Sequence, residues 1–140
     1  MERIVTLVNE KNHYLEKFYS MNEAEIVRVT AGDFSNIERF YKNRDKIIEM
    51  ITYIDQQTDI EVTKSRYQQV PDTVRTKIQR ALQLKDQYAK RILDQDLRLL
   101  SLVEAAKSSI LKELQSVRFN KKAVGSYKSP DFDSRLDEKL

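Results

Sequence analysis

Apolar residues near the N-terminus recur at three- and four-residue steps: Ile4, Val8, Leu15, Phe18, Ile26 and Val29. That spacing lays them along one face of an α-helix and predicts a first helix over about 2–30. Lys11 and Asn22 fall on the same stripe and interrupt it. Ala31-Gly32 then closes the helix, because glycine takes the left-handed backbone past a last turn at least cost. Ser35 and Glu38 have the S-x-x-E spacing of a capping box, which starts a second helix at about 35.

The second stripe is Ile37, Phe40, Arg44, Ile47/Ile48, Ile51 and Ile54. It carries the helix to about 60 or beyond. Residues 58–70, TDIEVTKSRYQQV, hold β-branched side chains that weaken the pattern. Pro71 forces a boundary, and Asp72 suits the cap of a third helix.

The third helix, about 72–119, has no glycine or proline inside it. One stripe reads Ile78, Leu82, Lys85, Ala89, Ile92, Asp96, Leu99, Val103, Ala106, Ile110 and Val117. A second, beside it, reads Leu93, Leu97, Leu100, Leu111 and Leu114. The C-terminal half is therefore apolar over a wider arc than one neighbouring helix would require. After Asn120 the chain runs KKAVGSYKSPDFDSRLDEKL, a flexible tail, basic and then acidic, over 121–140. It is either disordered or carries a short helix near 131–138.

The expected fold is all-α: an elongated antiparallel three-helix bundle over 1–120 with a long third helix. At about 1.5 Å of rise per residue, that helix is roughly 70 Å long, against about 40 Å for the first. Folding back at Val70-Pro71 would leave residues near 107–118 beyond the other two helices. Ile110, Leu111, Leu114 and Val117 would then need a partner: a client, a second copy or the tail. The same fold-back pairs Ile51 with Ala89, Ile48 with Ile92 and Arg44 with Asp96. Two charges that each interrupt an apolar stripe would thus face one another. The alternative places Arg44 at the stripe edge, its head reaching water.

Composition sharpens this picture in one respect. Of 140 residues 34% are charged, yet 25 basic side chains are offset by 22 acidic ones, for a net charge of +3. Interleaved charge marks solvated helix faces and argues against a nucleic-acid surface. The Lys121, Lys122 and Lys128 group around Tyr127 is a weak footprint for phosphates. No apolar run reaches the roughly 20 residues that span a bilayer, so the expected location is cytoplasmic.

Chemistry is sparse. There is no cysteine, and His13, the single histidine, lies off its helix's main stripe. No phosphate loop, dinucleotide fingerprint, nucleophile elbow or zinc-protease motif occurs. The sequence therefore predicts neither catalysis nor a cofactor or metal.

Two stretches carry a family likeness. Gly32-Asp33-Phe34, followed by Ile37, Phe40, Arg44-Asp45 and Ile48, resembles the turn and second helix of flagellar type III export chaperones of the FliT type. Residues 92–128 resemble that family's third helix, with Asp96, Glu113-Leu114 and the closing Lys122-to-Tyr127 pattern. The FlgN type, which serves hook–filament junction proteins, shares the helical plan. Segment 58–70 and the acidic end SPDFDSRLDEKL depart from short family members.

The resemblance implies a cytosolic chaperone that binds a terminal segment of a flagellar secretion substrate, a filament-cap or hook–filament junction protein. It would prevent premature assembly and deliver the client to the export apparatus. It further implies contacts with an export ATPase complex or export gate. A groove along the third helix would receive an amphipathic client helix at Leu93, Leu97, Leu100, Ile110, Leu111, Leu114 and Val117. The same residues, Leu93 and Leu97 above all, would otherwise be core or homodimer contacts, as in a structural or regulatory coiled-coil dimerisation protein.

Overall fold

A computed structural model describes residues 1–124, with side chains to Asn120. It holds three helices, α1 (Glu2–Thr30), α2 (Ile37–Lys64) and α3 (Asp72–Val124), and no strand among the described residues. The expected tail helix near 131–138 lies outside those residues. Two units divide the chain, Met1–Leu102 and Val103–Leu140, with the boundary inside α3.

The turn after α1 follows from its glycine. Gly32 adopts φ +81, the amide of Asp33 donates to the Arg28 carbonyl at 2.9 Å, and that of Gly32 to Val29 at 3.0 Å. These two bonds satisfy carbonyls that a helix end otherwise leaves open. A Cβ at Gly32 would meet nothing within 4 Å, so only the backbone conformation demands glycine. Gly32→Ala should therefore destabilise the first unit by about 1 kcal/mol, read as a lower urea midpoint at unchanged slope.

The expected capping box does not form. Ser35 instead donates its amide and its hydroxyl to Asp33 Oδ1, at 3.0 and 2.6 Å, and α2 begins two residues later at Ile37 with Asn36 as cap. The carboxylate two residues upstream takes both Ser35 donors in a local turn ahead of the helix. Those two bonds hold the exposed Asp33 carboxyl below its ordinary value of 3.8.

At the other turn, α2 runs through the ambiguous segment to Lys64, where Ser65 ends it. Pro71, not Asp72, takes the cap position of α3, its carbonyl accepting from the Arg75 amide at 2.9 Å. Asp72 lies in the first turn, where its charge complements the helix dipole. The C-terminal end of α3, Val124, falls beyond the expected 119.

In the first unit the helices bury one another through alternating four- and three-residue steps. On α3 the buried and half-buried positions are Val74, Ile78, Ala81, Lys85, Tyr88, Ile92, Gln95, Leu99 and Leu102, with Asp96 beside them. This heptad seam corrects the predicted stripe at two places, where Ala81 replaces Leu82 and Tyr88 replaces Ala89, while the expected Asp96 and Val103 are themselves half-buried. The reason is closeness. Asn12 Nδ2 reaches the Ala81 carbonyl at 2.9 Å, and a leucine there would hold α1 away.

Ile92 clusters with Leu15 and Phe18 of α1, and Ile47 and Ile51 of α2 pack against that cluster, whereas the expected partner Ile48 is exposed. A second cluster joins Ile4 and Val8 to Ala81. The interruptions in the α1 stripe are matched by polar partners. Lys11 Nζ bonds Asp55 Oδ1 at 2.7 Å, and Asn22 Nδ2 bonds Gln95 Oε1 at 3.1 Å.

In the second unit, Val103, Ala106 and Leu114 are half-buried and the remaining described side chains are exposed.

Candidate functional site

The sequence proposed two sets of residues: a charged pair and an apolar stripe. The pair comes together. Arg44 Nη1 and Nη2 donate to Asp96 Oδ1 and Oδ2, each at 2.9 Å, in a parallel fork. The guanidinium lies over the Phe18 ring, 5.0 Å from its centroid. Three helices therefore supply one junction, with the ring from α1, the cation from α2 and the carboxylate from α3. A planar guanidinium alone among cationic side chains fits both the fork and the ring face.

A polar network continues from this junction into the core. Asn22 Nδ2 lies 3.4 Å from Asp96 Oδ1, and Gln95 Nε2 donates to the Tyr19 carbonyl at 3.1 Å and Glu23 Oε1 at 2.8 Å. Gln95 is a seam position that apolar periodicity alone passes over, because its amide is buried only by virtue of these partners. Nearer the Gly32 turn, Glu25 is 1% exposed, and its Oε2 accepts from Arg28 at 3.2 Å and from Asn36 at 3.0 Å. Glu25 Oε1 and Asn22 Oδ1 are buried without partners. This chain of polar groups links the three helices, and Glu23 and Gln95 also line a depression beside α3.

The apolar stripe is open to solvent at most of its positions. In the first unit Leu93, Leu97 and Leu100 are 59%, 58% and 57% exposed. In the second, Ile110, Leu111 and Val117 are likewise exposed, while Leu114 is half-buried. Spacings of four and three put Leu93, Leu97 and Leu100 on one face of α3, turned away from its buried seam.

One feature escaped the sequence. Between α1 and α2 lies an open groove of about 580 Å³ lined by His13, Tyr14, Met50 and Tyr53 among others. Met50 and Tyr53 sit off the Ile47–Ile51–Ile54 stripe, which is the signal that could have found it. His13 packs edge-on against Tyr14, 5.8 Å between ring centroids, and Glu10 lines the same groove. Among the described residues no group of three or more His, Cys, Asp or Glu could hold a metal ion.

No family model matches the chain, and searches of curated proteins and of solved structures return no significant match. Its class is therefore defined by its own geometry: an all-helical protein of three helices, none of them, among the described residues, long and apolar enough to cross a membrane.

Proposed function

We propose that the chain is a cytosolic chaperone for a flagellar secretion substrate, built on an antiparallel three-helix bundle. The bundle reading is supported by contacts that descend α1 while climbing α2, from Glu25 with Asn36, through Phe18 with Arg44, to Lys11 with Asp55. The single observation that carries the function is the pair of uncovered apolar groups on α3. Each offers the three- or four-residue spacing that an amphipathic client helix needs. The client is a terminal segment of a filament-cap or hook–filament junction protein, held until delivery to the export ATPase complex or gate. The role involves no catalytic step.

The sharpest test is the double variant Leu111→Asp, Leu114→Asp. Its helicity by circular dichroism should match the wild type, because the first unit is untouched. Its affinity for the terminal segment of a filament-cap protein should fall about 100-fold, since each buried leucine contributes roughly 1.5–3 kcal/mol. Unchanged binding would move the groove elsewhere, and unfolding would make these residues core. Sedimentation across concentration separates the other reading: a stable dimer that buries the stripe makes the chain a coiled-coil dimerisation protein.

A further inference from the structure

The α3 seam has two flanking rows, and they differ in one respect. On the flank toward α2, Asp96 meets Arg44 and its charge is neutralised. The row on the other flank, Lys77, Leu84, Arg91 and Arg98, recurs at seven-residue steps, with Arg80 one position aside. Among the described residues none of Lys77, Arg80, Arg91 and Arg98 forms an ion pair. Rows that flank a heptad seam are where packed helices exchange charges. Here the four cations outnumber the two acids that line the same cleft, Glu23 and Asp94.

The α1 side of the same cleft alternates apolar residues with Asn9 and Glu23. Val5, Tyr19 and Ile26 recur there at helical spacing; Val5 and Tyr19 are half-buried, and Ile26 is buried in the core beneath. Two depressions open between these walls. One, of about 410 Å³, is lined by Val5, Lys77, Arg80 and Leu84. The other, of about 260 Å³, is lined by Tyr19, Ile26, Arg91 and Arg98 together with Glu23 and Asp94. Along α3 the row from Lys77 to Arg98 extends about 32 Å, the length of a helix of roughly 20 residues.

We propose that this α1–α3 cleft is a docking site for an amphipathic helix with acidic residues along one flank. Its apolar face covers Val5, Tyr19 and Leu84, and its acids lie against Lys77, Arg80, Arg91 and Arg98. The cleft chemistry favours a helix over nucleic acid. Val5, Tyr19 and Leu84 give the wall an apolar part that a phosphate backbone would leave uncovered. This surface lies on a different side of α3 from Leu93, Leu97 and Leu100, so the proposal stands apart from the chaperone reading.

The test uses the full chain and two synthetic helical peptides of about 21 residues. Both carry leucine at heptad core positions; one has glutamate along one flank and the other lysine. Fluorescence anisotropy should show the glutamate peptide binding at least about tenfold more tightly, with the difference shrinking in high salt. Arg91→Glu, Arg98→Glu should invert that preference, and Lys77→Glu, Arg80→Glu provides a second reversal should the first variant lose its helical circular dichroism. Equal binding of the two peptides, binding of neither, or tighter binding of a single-stranded oligonucleotide would overturn the proposal.

Discussion

Replacing Phe40 with alanine should cost the first unit about 4 kcal/mol, the largest effect expected of any single side chain here. Phe40 is 1% exposed, and it shares with Ile54 the task of anchoring α2, whose other apolar residues are half-buried or exposed. Domains of this size hold only about 5–15 kcal/mol in total, so the variant would stand close to unfolding at ambient temperature. In urea the midpoint should drop with the slope unchanged, and the melting temperature should fall by roughly 15 °C. Ile48→Ala supplies the contrast. Ile48 is 42% exposed, and its truncation should stay within about 0.5 kcal/mol. Equal losses at the two positions would mean that α2 is rotated from the orientation described.

That contrast also marks where sequence reasoning succeeded and where it failed. Helix existence was legible because apolar residues at three- and four-residue steps leave few alternatives, and α1 has the bounds that its stripe implies. The Arg44–Asp96 contact was legible because each charge was an anomaly on its own stripe, and one fold-back relieved both. The seam of α3 was legible only at every second step. Ile78, Lys85, Ile92 and Leu99 belong to both the expected stripe and the real one, whereas Ala81 and Tyr88 stand one residue before the expected Leu82 and Ala89. Periodicity cannot choose between Ala81 and Leu82 when hydrophobicity favours the leucine. Choosing correctly needs the facing residue, Asn12, whose bond to the Ala81 carbonyl demands a close approach.

The same limit explains the polar core. Asn12, Asn22, Glu25 and Gln95 are all buried, yet a pattern of apolar residues records them only as gaps. Their partners lie some seventy residues away or across a turn, as in Asn22 with Gln95 and Glu25 with Asn36. Local sequence holds no trace of such pairing. Conversely, the exposed leucines at 93, 97 and 100 were visible as a second stripe, but a stripe does not say what covers it. Exposure above half at all three is what the structure adds, and it is what turns an apolar pattern into a candidate surface.

Asp96→Ala is the other large expected effect, and its size depends on how wet the pair is. Removing one partner of a fully buried ion pair costs on the order of 3–5 kcal/mol, and of an exposed pair about 0–1. Arg44 and Asp96 retain 23% and 29% side-chain exposure, which places the expected loss between these limits, at about 2 kcal/mol. The variant leaves a guanidinium held over Phe18 with no anion in its fork, and Asn22 loses its contact with the carboxylate. Arg44→Ala should cost a similar amount. The double variant should cost less than the sum, with a coupling of about 1–2 kcal/mol. Arg44→Lys keeps the charge but cannot form the fork, and it should recover only part of that coupling. High salt discriminates further: an exposed pair would lose its coupling in about 1 M NaCl, whereas this one, partly shielded by Phe18, should keep most of it. A coupling below about 0.3 kcal/mol would mean that α2 and α3 hold their register through apolar contacts alone. The junction would then be a surface decoration and not the pin that aligns the three helices.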